Sequence, residues 1–165
     1  MRHSLDMKAH SMTRRHLLGL FTAFSAAARA GDAEPATGGL SDAQWRQRLT
    51  PEQYDVLRHE GTERPFSSPL NTEKRAGQYL CAGCGAALFT SAMKYDSGTG
   101  WPSFHSTLPD AFKLRTDYKL VLPRSEYHCA RCGGHHGHVF DDGPRPSRKR
   151  YCNNGVALNF VPAAA

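Results

Sequence analysis

Two Cys-x-x-Cys pairs constrain this 165-residue chain more than any other feature. Cys81-Ala82-Gly83-Cys84 and Cys129-Ala130-Arg131-Cys132 are separated by residues 85–128, and a fifth cysteine, Cys152, stands apart. A Cys-x-x-Cys pair presents two sulfurs to one ion from a tight turn, and two such pairs complete a tetrahedral four-cysteine site. Small residues that such turns prefer follow each pair: Gly85 in the first, Gly133-Gly134 in the second. The expectation is one structural Zn2+ on Cys81, Cys84, Cys129 and Cys132, clamping segments far apart in sequence. Two disulfides or a redox pair are the competing readings. Neither pair has the helix-start context that lowers a thiol pKa, which argues against the redox reading.

The N-terminus reads as an addition to the folded part. Arg14 and Arg15 follow Thr13, an uncharged apolar run spans Leu17 to Ala28, and Ala28-Arg29-Ala30 has the small-x-small pattern of a signal-peptidase site. The run holds about twelve apolar residues, short of the about twenty that cross a bilayer, so no membrane span is expected. Thr-Arg-Arg-His-Leu-Leu is similar to a twin-arginine export signal. The predicted organisation is a signal peptide over 1–30, a Gly/Pro-rich linker over 31–40 and one domain over 41–165. Export to a periplasm follows from that reading, and a cytoplasmic protein follows if residues 1–30 form an amphipathic helix of the domain instead. Twin-arginine export carries folded proteins, which leaves metal loading to the reducing cytoplasm.

Removing residues 1–30 takes away five of the 21 Lys/Arg and one of the 15 Asp/Glu. The remaining chain has 16 against 14, a net +2, and a zinc on four thiolates brings it near zero. A basic nucleic-acid surface is thereby argued against.

Ser41 with Gln44, and Thr50 with Gln53, match the capping box, and Pro51 suits the first position of a helix. Helices are predicted over 42–48 and 51–60, the second capped by Gly61, with Arg58, His59 and Glu60 facing water. Beyond Gly61, short aromatic and aliphatic runs alternate with Gly, Pro, Asp and Ser clusters. Strands are predicted near 77–81, 86–89, 112–114, 118–122, 126–129, 138–140, 150–152 and 156–161. The expected fold is therefore mainly β and antiparallel, with short N-terminal helices and a clamp of four zinc-bound cysteines.

Cys152 lies between Arg150 and Asn154, and strand period two puts all three on one face. A cation and an amide beside a thiol favour the thiolate nucleophile; a buried core cysteine is the alternative. His135 and His138, three apart, fall on opposite faces of a regular strand, so a turn at Gly137 is needed to bring both to one pocket. Extra metal ligands or ordinary surface histidines are the other readings. Trp101, in Gly100-Trp101-Pro102-Ser103-Phe104, suits either the core or the wall of a pocket for a small apolar group.

Taken in order, these segments resemble the methionine-R-sulfoxide reductase (MsrB) family from about Leu49 to Phe160. The matching stretches run from Leu49-Thr50-Pro51-Glu52-Gln53-Tyr54 through Cys81-Ala82-Gly83-Cys84-Gly85 and Asp96-Ser97-Gly98-Thr99-Gly100-Trp101-Pro102-Ser103-Phe104. They continue with His135-His136-Gly137-His138-Val139-Phe140-Asp141-Asp142-Gly143-Pro144 and close on Arg150-Tyr151-Cys152-Asn153-Asn154-Gly155. The resemblance implies two packed antiparallel sheets, a structural zinc, and reduction of methionine-R-sulfoxide, protein-bound or free, by a monomer. It implies Cys152 as nucleophile, His135 and His138 at the sulfoxide oxygen, Asn154 assisting, Arg150 favouring a depressed thiol pKa, and Trp101 against the S-methyl group. Thr99 stands where many members carry a resolving cysteine. With the other four cysteines on metal, a one-cysteine cycle served by a thioredoxin-like or other external thiol is expected. The contrasting reading is a zinc-stapled binding module without catalysis, which leaves Cys152, the histidines and Trp101 idle.

Overall fold

The computed structural model describes residues 39–119 and 122–164; the expected export signal, and all of the expected linker except Gly39 and Leu40, lie outside them. Two helices come first, α1 (Asp42–Arg48) and α2 (Pro51–His59). Both start at the capping boxes legible in the sequence. Gln44 N–H donates to Ser41 Oγ at 3.4 Å while Ser41 N–H donates to Gln44 Oε1 at 2.8 Å. Thr50 and Gln53 repeat the exchange at 3.2 Å in both directions. Such reciprocal bonds satisfy two of the N–H groups that a helix start leaves free.

Helix α2 closes differently from expectation. Glu60, not Gly61, takes the left-handed conformation, with φ 59°. Gly61 instead abuts Asp55, where a Cβ would stand 2.1 Å from the carboxylate. Trp45, Tyr54, Val56 and Leu57 are the buried face of the two helices. Of the three residues expected to face water, Arg58 lies over the Trp45 ring at 4.8 Å and Glu60 pairs with Lys119 at 2.5 Å.

Among the described residues nine strands follow: β1 (Gly77–Cys81), β2 (Ala87–Thr90), β3 (Lys94–Tyr95), β4 (Ser103–Phe104), β5 (Phe112–Asp117), β6 (Arg124–Cys129), β7 (His135–Phe140), β8 (Arg150–Asn153) and β9 (Leu158–Pro162). They form two antiparallel sheets, ordered β2-β1-β9 and β3-β4-β8-β7-β6-β5. The mainly β, two-sheet class is as expected. The two-residue strands β3 and β4 had no sequence signal, being too short for a period. The strand predicted over 118–122 does not form in its described residues; Leu120 and Val121 lie outside them. Strand β5 runs on to Asp117, whose carboxylate accepts the Lys119 N–H at 2.8 Å. That Asx turn draws the chain out of the ladder. Among the described residues, no helix is long and apolar enough to cross a membrane.

The core between the sheets is aromatic. Phe89 of β2 stacks on Phe104 of β4 with centroids 3.9 Å apart and planes at 9°, and Tyr79 of β1 meets Phe104 edge-on at 5.0 Å. On the larger sheet Tyr127 packs edge-on to Phe112 and Tyr151, at 4.7 and 5.4 Å. Phe104 thereby anchors the short strand β4 against the smaller sheet, while β4 pairs with β8 along its backbone. Replacing the fully buried Phe104 with alanine should cost about 3–5 kcal/mol, measured as the change in urea unfolding free energy of the metal-loaded protein.

Candidate active site

Each Cys-x-x-Cys pair forms the turn of a hairpin, one between β1 and β2, the other between β6 and β7. In each, the N–H four residues on returns to the first cysteine's carbonyl: Gly85 to Cys81 and Gly133 to Cys129, both at 2.8 Å. Both glycines have φ of 71°, a conformation that side chains disfavour. The two turns bring all four sulfurs together. Cys81 and Cys132 Sγ are 3.7 Å apart, Cys84 and Cys129 Sγ 3.6 Å, and all four lie within 4.8 Å of one another. An ion with Zn–S bonds of about 2.3 Å in tetrahedral geometry needs sulfurs ~3.8 Å apart, whereas a disulfide needs about 2.05 Å. Donor type and spacing therefore fit one metal ion and do not fit two disulfides. Arg58 Nη1 donates to Cys132 O at 3.1 Å and Arg48 Nε to Gly83 O at 2.8 Å, placing positive charge beside a thiolate-rich centre.

A second arrangement stands on the large sheet. Register pairs Glu126 with His138, His138 with Cys152, and Cys152 with Ser103. Directly paired residues project to the same side, so these four side chains form one row across β6, β7, β8 and β4. The neighbouring core residues Tyr127, Tyr151 and Phe104 occupy the opposite face. Cys152, His138, Trp101 and Asn154 then line a pocket of about 130 Å³ together with Thr62, Arg124, Gly137 and Phe140. That volume is close to the ~150 Å³ of a cavity that holds one benzene, so it suits the end of a single side chain.

His135 and His138 do share a face, by a different device from the expected turn. Opposite Tyr127 and His128 on β6 stand Gly137 and His135, leaving His136 as an extra residue in β7. This bulge restores His135 to the side of His138, with ring centroids 5.5 Å apart. Gly137 has φ 155°, and a Cβ there would lie 2.0 Å from the Cys152 carbonyl oxygen. The bulge thus brings β7 closer to β8 than any side chain at 137 permits. His135 itself does not line the pocket. It is 1% exposed behind His138, and burial pushes its pKa down to about 4.

Each remaining group is held from behind. His138 Nε2 is 2.8 Å from Asp117 Oδ2, and Arg124 Nη2 is 2.6 Å from the same oxygen. The Lys119 N–H, then His138 and Arg124, hold the Asp117 carboxyl well below the usual range. Trp101 Nε1 donates to Glu63 O at 3.1 Å. Asn154 lies just past the end of β8, its Oδ1 accepting from Glu63 N–H and its Nδ2 donating to His136 O, both at 3.0 Å.

Residues 49–162 match the family model described as the SelR domain. A "Peptide methionine sulfoxide reductase MsrB" from Methanosarcina barkeri is 54% identical over 121 residues, covering 73% of this chain and 85% of that protein. The MsrB of Leifsonia xyli is 54% identical over 124 residues, covering 74% and 89%. "Peptide methionine sulfoxide reductase B1, chloroplastic" of Arabidopsis thaliana is 49% identical over 122 residues, covering 73% and 60%. The chain belongs to the MsrB family.

Within this MsrB chain, sequence reasoning passed over Thr62, Asp117, Arg124, Glu126 and Phe140. Period two signalled Phe140 from His138, and Arg124 from Glu126; Asp117 and Thr62 are brought in by the fold alone. The expectation of a depressed Cys152 pKa is corrected. Burial dominates and pushes the thiol up, while the Arg150 charge offsets only part of it. Arg150 is itself shared, with a bidentate pair to Asp142 at 2.8 Å and its Cζ over Phe140 at 4.2 Å. Arg150→Met should therefore move the pH profile of Cys152 alkylation by iodoacetamide upward, and Arg150→Lys should restore part of the shift.

Proposed function

We propose that this protein reduces methionine-R-sulfoxide, in oxidised proteins or free, to methionine with Cys152 as nucleophile. The observation that carries the reading is the shared row and pocket of Cys152 and His138, closed by Trp101. The methylsulfinyl end of a side chain matches the pocket in size, with the S-methyl group against the indole. A thiolate attacking sulfoxide sulfur must be met by a proton at the oxygen, because oxide is a poor leaving group. His138 is the imidazole that lines the pocket, and Asp117 orients it; the more deeply buried, neutral His135 supports its ring from behind. Asn154 holds the β7 backbone against the pocket, and Arg150 draws the buried thiol toward its anion. The products are methionine and a sulfenic acid on Cys152.

The second half of the cycle needs a thiol from elsewhere. Thr99 occupies the position where a resolving cysteine is common in the family, and its hydroxyl lies 2.8 Å from Ser97 Oγ. The other four cysteines are gathered in the metal cluster, whose occupant we propose is a single structural zinc. It supplies rigidity, not a reaction step. A thioredoxin-like or other external thiol would attack the sulfenic sulfur, release water, and be exchanged by a second thiol. A non-catalytic binding module has nothing in this pocket to favour it.

The decisive assay presents both epimers of a methionine sulfoxide substrate, with dithiothreitol, to wild type and Cys152→Ser. Loss of R-epimer reduction in the variant is expected, and after one turnover without reductant the wild type should carry one added oxygen on Cys152. A Cys152 disulfide to another cysteine of the chain would overturn the one-cysteine cycle.

Residues 1–30 are proposed to export a folded, monomeric domain of residues 41–165 to a periplasm by the twin-arginine route, with residues 31–40 as linker. Sequencing of the N-terminus from a cell-envelope fraction should then begin at Gly31.

A further inference from the structure

Glu63 carries a buried carboxylate that neither the metal cluster nor the row on the large sheet uses. It lies in residues 61–64, which belong to no helix or strand, and it is 4% exposed. Its Oε1 accepts the Gly155 N–H at 2.6 Å and its Oε2 accepts the Val156 N–H at 2.9 Å. Its main chain reaches two further partners. Glu63 N–H donates to Asn154 Oδ1 at 3.0 Å, and Glu63 O accepts from Trp101 Nε1 at 3.1 Å. Thr62, the residue before it, lines the pocket with Trp101 and Asn154, whereas Glu63 does not.

A carboxylate is a costly choice for this place. Burial raises the Glu63 pKa, the Gly155 and Val156 N–H bonds act against that, and the Glu52 charge raises it again. A glutamine fills nearly the same volume with a smaller desolvation cost, but it has one acceptor oxygen and would turn an NH2 donor toward the second N–H. Of the two, the carboxylate alone satisfies both donors, and its hydrogen bonds are roughly twice as strong as neutral ones. Gly155 lets it approach. A Cβ there would lie 3.2 Å from Glu63 Oε1 and 1.9 Å from Ser68 Oγ.

The two residues held by the Glu63 main chain flank Cys152. Asn154 follows it by two positions, and Trp101 precedes by two Ser103, the partner of Cys152 across β4 and β8. We propose that Glu63 is a positioning residue: its carboxylate pins residues 61–64 to the backbone that follows β8, and the pinned main chain fixes Trp101 and Asn154 about Cys152. The inference rests on the proposed reduction of methionine-R-sulfoxide. Glu63 serves it from outside the pocket, by holding the indole that meets the S-methyl group.

The test compares wild type and Glu63→Gln, each with zinc in the four-cysteine site, in single-turnover reduction of a methionine-R-sulfoxide peptide without reductant. The variant should need about tenfold more peptide for half-saturation at a limiting rate within about twofold of wild type, the mark of a lost interaction that serves binding alone. Alkylation of Cys152 by iodoacetamide should keep its pH profile. In 1H–15N spectra the Trp101 indole N–H, assigned with Trp101→Phe, should shift and exchange faster with solvent, while that of Trp45 stays in place. A merely structural role lowers the urea midpoint and leaves the half-saturation and the Trp101 signal unchanged, and that result overturns the pin. A displaced alkylation profile overturns it equally, because Glu63 would then act on the thiol. Should Glu63→Gln not fold, Glu63→Asp, which keeps both acceptors one methylene short, decides by the same readings. A wild type that reduces neither epimer overturns the proposed function instead, and the Trp101 signal then decides the pin alone.

Discussion

The register of β4, β8, β7 and β6 is the constraint on which the rest of this structure depends. Side chains alternate across a sheet, so a one-residue slip would exchange the faces completely. On one face the alternation presents Ser103, Cys152, His138 and Glu126; on the other it presents Phe104, Tyr151 and Tyr127 to the core. The two sets are inseparable. Aromatic packing against Phe89 and Tyr79 of the smaller sheet buries one face, and in doing so it fixes which residues can meet on the other. This polar row is a consequence of hydrophobic burial on the far side of the same strands.

The four-cysteine centre enters this scheme as more than a staple. It joins the β1–β2 hairpin of one sheet to the β6–β7 hairpin of the other, next to the bulge in β7. His136, the extra residue of that bulge, is fully buried with its Nε2 3.4 Å from Cys81 Sγ. Its carbonyl accepts from both the backbone N–H and the side-chain amide of Asn154, at 2.8 and 3.0 Å. A short path of direct contacts thus runs from the sulfur cluster through His136 to a residue lining the pocket. Loosening the cluster would release the bulge, and with it the alignment of His135 and His138.

Much of this was legible in the sequence, for reasons that differ residue by residue. The capping boxes at Ser41 and Thr50 are local chemistry and could be read without a partner. The Cys-x-x-Cys pairs carry their own turn geometry, and their mutual pairing follows from ligand count. Period two placed Cys152 beside Arg150 correctly. What could not be read were features set by a second strand. His135 and His138 reach one face only because His136 is unpaired against β6, and a bulge has no signature in a single strand. Asp117 reaches His138 across residues 118–137. Strands β3 and β4 exist because β8 is there to pair with, and two residues cannot display a period.

The electrostatics of Cys152 show the same limit in energetic form. From sequence, Arg150 two residues away argued for an easily ionised thiol. In the fold, Arg150 is committed to Asp142 and Phe140, and burial of Cys152 outweighs the attraction that remains. Desolvation disfavours the charged form of any thiol, and a shared cation compensates incompletely. For the proposed nucleophile this balance is not a defect. A thiol that stays protonated until a substrate fills its pocket resists oxidation by small oxidants, and the thiolate that finally forms retains more nucleophilicity than one of low pKa. On the proposed one-cysteine cycle, with Thr99 in place of a resolving cysteine, a shielded Cys152 would avoid forming a sulfenic acid without a substrate to show for it.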